Sequence, residues 1–414
     1  MSYPVLGSGA AIIKRESKMK KYIGLGALAA MMLPAFVACD NVDVYELPQP
    51  YAIDWNAAAD SATNALVKHF WNENGYFNQK ADYEGKVDNG NSWNYWPQAH
   101  AMDVIIDAYE RTGKQEYKDM FGKWFDGVKT QNDGGNTGGY TNDYYDDEAW
   151  IATTMARLYK VTNEDKYLTV AKDLYADIWS GWNDLGGGGL SWRKSQPWSK
   201  NSCINGPGAV LALDLYEITQ DENYLTQAKA IYEWTRDNLF VPGSGEVYDN
   251  LNAETTEVAT WHFSYNQATV MKAAQLLYGY TKESYYLKDA QRACYYTISN
   301  GAFLEAANNL TKFENGSTPG ANSDVALFRA VFYHYFYDMV TDNNLDGAWI
   351  AKFKSCFNCS TEYLWRNGLD NRQLFVLFGP DWSKGPAAGD TFYLNPMVSA
   401  CAAIEMRAKL EKNK

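Results

Sequence analysis

A chain of 414 residues, 46% of them apolar, can bury one large core or two average ones. Its formal net charge of −13 excludes nucleic acid as a partner, because a phosphate backbone would be repelled, whereas a neutral polymer meets no such barrier. The 15 Trp and 31 Tyr are an unusual supply of flat stacking surface for a water-soluble chain.

The first element is a leader. Met19, Lys20 and Lys21 precede an apolar run from Tyr22 to Val37, the pattern of a secretory signal. The run ends in Ala38-Cys39, a small residue before cysteine, as in bacterial lipoprotein signals. Cleavage before Cys39 and lipidation of its thiol would tether the chain. On this reading residues 1–39 are an upstream extension plus signal peptide. The expected location is the bacterial cell envelope, lipid-anchored to the outer membrane on its outer or periplasmic face. Residues 40–53, with Asp40, Asp43, Glu46, Pro48 and Pro50 and little periodicity, form a tether. No later apolar run is long enough to span a membrane.

From residue 54 onward one pattern repeats. The stretch from Thr112 to Tyr117 recurs at Thr162–Tyr167, Thr219–Tyr224 and Thr281–Tyr286, with a degenerate fifth copy at Thr341–Asp346. A period of roughly 50–60 residues is that of an array of helical hairpins. Each copy is a short turn. The helical pattern ahead of it is apolar on all sides, and the one after it is apolar on one face. Six inner helices are expected to begin near Tyr95, Asp146, Cys203, His262, Val325 and Pro396. Six outer ones should begin near Asp54, Lys114, Glu164, Asp221, Glu283 and Asp346. Long loops rich in Gly, Asn, Ser and Trp cover roughly 74–94, 131–145, 181–202, 240–261, 303–324 and 366–394; loops of that length are usually functional. With the short turns on one side, all six loops fall on the other. The expected fold is all-α, an (α/α)6 barrel over residues 54–414 with its cleft on the long-loop face; an open solenoid is the alternative.

Asp146 and Asp147 stand where the Gly-rich loop around Gly134–Gly139 gives way to a helix, flanked by Tyr144, Tyr145 and Trp150. Acids in a first helical turn also offset the helix dipole, so the pair alone does not define a site. Its placement at the N-terminus of an inner helix, on the cleft face, points to catalysis. A retaining glycosidase needs a nucleophile and an acid/base about 5–5.5 Å apart, an inverting one a gap of roughly 6.5–9.5 Å, and adjacency leans toward retention. The rival chemistry is chelation of calcium by Asp143, Asp146, Asp147 and Glu148, although the spacing is not that of an EF-hand. Trp96, Trp150, Trp192, Asn205, Tyr265 and Asn266 fall at loop–helix junctions of the same face and are candidates for sugar binding. His69, His100, His262 and His334 are scattered and read as packing or hydrogen-bonding residues. With Cys39 lipidated, an odd five cysteines remain, which excludes a complete disulfide framework; Cys356-x-x-Cys359 could still close a local one. No feature calls for a metal or organic cofactor, and a monomer is expected.

The run from Asn142 to Trp150, with its Asp146-Asp147 pair, resembles the signature of glycoside hydrolase family 76, the endo-α-1,6-mannanases. Cys203-Ile-Asn205-Gly-Pro207, the Tyr-Leu ends of turn copies and Trp261-His-Phe-Ser-Tyr265-Asn266-Gln resemble that family too. The likeness runs over roughly residues 54–411. It implies an (α/α)6 barrel that hydrolyses α-1,6-mannosidic linkages of a mannan backbone with retention, Asp146 as nucleophile and Asp147 as general acid/base. The competing expectations are a related hydrolase or transglycosylase on the same fold, and a non-catalytic glycan-binding surface lipoprotein.

Overall fold

The computed structural model describes residues 51–81, 93–133, 139–301, 303–305, 310–311, 323–370, 376–387 and 389–412. The leader, Cys39 and nearly all of the 40–53 tether lie outside the described residues. The chain divides into the units Met1–Ala52 and Ile53–Lys414, and all the described helices belong to the second.

Among the described residues there are twelve α-helices: α1 (Trp55–Phe70), α2 (Trp96–Thr112), α3 (Gln115–Asp133), α4 (Tyr145–Thr162), α5 (Asp165–Ser180), α6 (Ser202–Thr219), α7 (Glu222–Asn238), α8 (Ser264–Thr281), α9 (Ser284–Ser299), α10 (Val325–Val340), α11 (Gly347–Asn367) and α12 (Leu394–Lys412). The even-numbered helices pack side by side in the order α2, α4, α6, α8, α10, α12, and α12 returns to α2. The ring is closed, which settles barrel against solenoid. Its members are buried on nearly every side: in α12 every residue from Leu394 to Ala408 is buried. The odd-numbered helices form the outer layer and bury one stripe, as α5 does with Tyr167, Ala171, Leu174, Tyr175 and Ile178. The sixth pair differs from the other five, because α12 takes its outer partner, α1, from the opposite end of the chain.

The repeated threonine explains the short turns. The Thr112, Thr162, Thr219 and Thr281 hydroxyls each donate to the carbonyl four residues back. Each also accepts from the backbone N–H two residues on. One side chain thus closes its helix and opens the turn. The next residue takes the left-handed conformation: Gly113, Asn163, Gln220 and Lys282. Glycine occupies that region freely, while a lysine there costs roughly 1–2 kcal/mol. Lys282→Gly should therefore raise stability by about 0.5–1 kcal/mol once glycine's greater unfolded-state entropy is offset, a gain readable in thermal unfolding. In the fifth copy Thr341 keeps the backward bonding, to the Tyr337 and Asp338 carbonyls, without the forward one, and the turn lengthens to Asp346, whose carboxylate caps α11.

The long loops carry short strand pairs that periodicity did not foresee. One set positions the site. Ser199–Asn201 pairs antiparallel with Asn250–Asn252, which pairs with Glu257–Ala259. This three-stranded patch ties the loop entering α6 to the loop entering α8.

Candidate active site

The N-terminal turns of the inner helices converge on a cleft of about 560 Å³. Trp96 comes from α2, Asp146, Asp147 and Trp150 from α4, Cys203 from α6, Tyr265 from α8, and Asp324 with Phe328 from the start of α10. Loop residues complete the wall: Tyr144, Trp192, Asn201, Asp249, Asn250 and Trp261 among them. Six of the eight residues expected at the site from sequence line this one cleft.

Asp146 and Asp147 occupy the first turn of α4, whose N-cap residue, Tyr144, offers no side-chain acceptor. Trp192 Nε1 donates to Asp146 Oδ2 at 3.2 Å, and Cys203 lines the same cleft. Burial raises the Asp146 pKa to about 6, against the pull of the polar groups that face it, the Cys203 thiol, Trp192 Nε1 and the backbone of the first turn. Asp147 is pushed well above the usual carboxylate range, by burial first and then by the charges of Asp146, Asp324 and Glu148. Two adjacent acids of the same type are thus driven apart, with Asp146 the ionised partner and Asp147 the protonated one near neutrality.

Their neighbours are held in turn. Glu148 is fully buried; its Oε1 accepts from the Asn142 N–H at 2.6 Å and from Lys194 Nζ at 2.9 Å. Burial lifts its pKa to about 8 against those donors. Arg193 pairs with Asp143, and its guanidinium lies over the Tyr144 ring at 4.3 Å. The Asp143–Glu148 acids are therefore not a common ligand set. Two of the four are taken by cations and two face the cleft, which removes the basis for calcium chelation there. Among the described residues no group of three or more acidic, His or Cys side chains is arranged for a metal.

The aromatic candidates stand on the wall. Trp192 meets Tyr144 edge-on with ring centres 5.1 Å apart, Trp150 packs on His100, and Tyr265 stacks face to face on Phe328 at 3.9 Å. Trp96 Nε1 donates to Asp324 Oδ1 at 3.0 Å.

Asn205 and Asn266 are corrected in placement, because both stand behind the wall. Asn205 is fully buried and clamps the loop before α6: Oδ1 accepts from the Leu190 N–H, and Nδ2 donates to the carbonyls of Leu190 and Asn201. Asn266, also fully buried, donates to Asp249 Oδ1 at 3.1 Å and so orients a carboxylate that does line the cleft. Gly206, next to Asn205 in the Cys-Ile-Asn-Gly-Pro motif, lets α6 and α8 meet; a Cβ there would lie 2.2 Å from Thr269 Oγ1. The Cys356–Cys359 disulfide is corrected as well. Both thiols are free, one buried and one exposed on α11. His262 pairs with Glu246, while His100 and His334 face Asp103 and Asp107.

Sequence reasoning missed Asp249, Asn250, Asn201 and Asp324. Only Asp324 carried a local signal, as an acidic residue directly before an apolar helical run.

The barrel and its acid-bearing cleft define the class as a helical-barrel glycoside hydrolase. The chain matches the model of glycosyl hydrolase family 76 over residues 54–414 and belongs to that family. An α-1,6-mannanase of Salegentibacter sp. HEL1_6 has a similar structure, with TM-score 0.77 and 33% identity over 86% of this chain and 100% of that one. Its inactive variants carry Asn or Ala at two consecutive aspartates and were solved with α-1,6-mannotriose and α-1,6-mannotetrose. A family 76 mannosidase from Bacteroides thetaiotaomicron VPI-5482 shares the fold at 21% identity and TM-score 0.72, covering 87% of this chain and all of that one. The mannan endo-1,6-alpha-mannosidase DCW1 of Saccharomyces cerevisiae is 26% identical over 185 residues, 42% of this chain. The aligned part spans only 40% of that yeast protein's own length.

Proposed function

We propose that this chain hydrolyses α-1,6-mannosidic linkages within a mannan backbone, endo-acting and with retention. The observation that carries the reading is the Asp146–Asp147 pair in the first turn of α4, both facing a cleft walled by aromatic rings. The consecutive aspartates of the Salegentibacter enzyme, replaced in its inactive variants, support it.

In the first step Asp147 gives its proton to the O6 of the departing mannose while an Asp146 oxygen attacks the anomeric carbon. The C1–O6 bond breaks, and the leaving chain departs as an alcohol. In the second step the Asp147 carboxylate takes a proton from water, whose oxygen displaces Asp146 from C1. Two inversions restore the α configuration and both side chains. Trp96, Trp150, Trp192 and Tyr265 supply apolar faces for pyranose rings, and Asp249, Asn250 and Asp324 supply acceptors and donors for hydroxyls. Trp261, 65% exposed on the rim, offers a platform to sugars beyond the cleft, which suits a polymer entering mid-chain.

Chromatography of products from debranched α-1,6-mannan tests this. An early ladder of oligosaccharides is expected; mannose alone would contradict endo action, and retention on a mannan column without products would favour a binding protein. The acid limb of kcat/KM should fall near pH 6, where Asp146 loses its proton. Trp192→Phe keeps an aromatic face, though a smaller one, and removes the N–H, so it should raise that limb and lower kcat roughly ten-fold, the loss of one hydrogen bond to a charged group.

The leader and Cys39 support a lipid-anchored enzyme of a bacterial envelope that meets mannan from outside the cell. Intact mass of the mature N-terminus tests the anchor. A diacylated Cys39 is expected, and a free thiol at that position would contradict it.

A further inference from the structure

Among the described residues, Lys200 is a buried lysine with no carboxylate to pair with it. It stands in the strand Ser199–Asn201, whose first and last residues line the cleft, so its own side chain runs behind the wall. Burial lowers its pKa to about 8, and no acid opposes the fall. A buried, unmatched ammonium is costly, and an apolar side chain of the same length would fill the space without that penalty.

What the ammonium holds is the approach to Trp192. Its Nζ donates to the Gly189 carbonyl at 2.7 Å and to Ser191 Oγ at 3.3 Å. Leu190, between those two residues, is gripped by Asn205 of α6, which accepts from its N–H at 2.7 Å and donates to its carbonyl at 3.0 Å. The chain ahead of them needs such clamps. Gly186, Gly187, Gly188 and Gly189 all carry positive φ, and no side chain restricts that stretch. Beyond it, the Trp192 N–H donates to the Ser199 carbonyl at 2.8 Å, and Trp192 Nε1 reaches Asp146 Oδ2 at 3.2 Å. A run of glycines thus leads to the tryptophan that bonds the nucleophile, and one ammonium ties down both Gly189 and Ser191 on the way.

We infer that Lys200 is a positioning residue: by fixing Gly189 and Ser191 it aims the Trp192 N–H at the Asp146 carboxylate. The inference rests on the nucleophile assignment made above. Lysine suits the place because one terminal nitrogen carries three donors on a long stem, enough to bind acceptors on alternate residues of another segment. Its charge strengthens both bonds in a site closed to solvent.

Lys200→Met keeps the length of the side chain and removes its donors. It should lower kcat roughly three- to ten-fold, no more than Trp192→Phe does, and raise the acid limb of kcat/KM in the same direction. The deciding comparison is the double variant. With Trp192→Phe already in place, Lys200→Met should cost less than about two-fold further, because both act through one hydrogen bond. A purely structural role would multiply the two losses. Nuclear magnetic resonance of the free protein gives a readout without substrate. The indole N–H proton of Trp192, assigned by its disappearance in Trp192→Phe, should move upfield in Lys200→Met as its bond to Asp146 weakens. Lys200→Gln, shorter and uncharged, should show the same changes more weakly and replaces the methionine variant if that one does not fold. Parent-like kcat, an unmoved Trp192 indole proton, or losses that multiply in the double variant would overturn the inference. If the parent chain itself cleaves no α-1,6-mannan, the functional reading fails, and the indole signal still decides whether Lys200 sets the bond from Trp192 to Asp146.

Discussion

Asp147→Asn is expected to lose more than about a thousand-fold in kcat on mannan while unfolding at a higher temperature than the parent at pH 8. General acid catalysis contributes roughly 10²–10⁴-fold, and an asparagine can neither protonate the leaving oxygen nor activate water. Stability moves the other way because this carboxyl is buried beside Asp146, Asp324 and Glu148, and its folded-state pKa lies well above the unfolded value. A group raised in that way contributes stability that is complete below its unfolded pKa and is lost as pH climbs through the folded one. At pH 8 the parent has lost part of it, whereas the neutral amide has nothing to lose. The gain should be about 1–3 kcal/mol at pH 8 and should vanish near pH 4. Asp146→Asn should be as inactive, with a gain that builds up between about pH 4 and pH 6 and is complete above it. Melting curves across that range check the sign. An Asn variant no more stable at pH 8 than at pH 4, relative to the parent, would mean that the pair is not strained in the resting enzyme.

The second large effect lies inside the barrel. Arg157 Nη1 pairs with Asp103 at 2.9 Å and Nη2 with Asp107 at 2.7 Å, and the two carboxylates come from the same face of α2. Burial alone would raise both acids, yet the guanidinium, followed by His100 at Asp103 and by His334 at Asp107, holds them below the usual range. Arg157→Met would leave two carboxylates in a site that is nearly closed to water. Removing one partner of such a buried network costs roughly 3–5 kcal/mol, far more than an exposed ion pair would. The pH dependence is opposite to that of Asp147. A depressed acid contributes stability that is present above its unfolded pKa and lost as pH falls through the folded value. The penalty in Arg157→Met should therefore be full at pH 7 and shrink below about pH 4, where both acids protonate in the unfolded chain. Chemical denaturation at the two pH values reads it directly.

The barrel was legible because its turns use one device four times. A threonine that bonds both backward and forward leaves a period that survives sequence drift, and only the Thr341 copy, which kept half the device, blurs. The joining of α1 to α12 was not legible, since nothing local in Trp55–Phe70 names a partner more than three hundred residues away. The acid pair and the aromatic wall could be read because a first-turn position on an inner helix fixes which mouth of the barrel a residue faces. Which side of the helix it takes is finer. Each residue turns by about 100°, so with Cys203 in the cleft Asn205 points away, and with Tyr265 in the cleft Asn266 turns inward. Both asparagines lay in the right turn and on the wrong side of it. Asp249 and Asn250 escaped altogether, because their place depends on strand pairing between two loops, which leaves no periodicity in either.

The central claim is a double displacement at the anomeric carbon by Asp146 with Asp147 as acid and base. Proton NMR of the reducing ends released in the first minutes from α-1,6-mannan tests it most directly, before mutarotation mixes the anomers. With retention, the α-anomer signal appears first and the β-anomer grows in later. A β-anomer appearing first would show a single displacement by water, and the assignment of Asp146 as nucleophile would have to be given up.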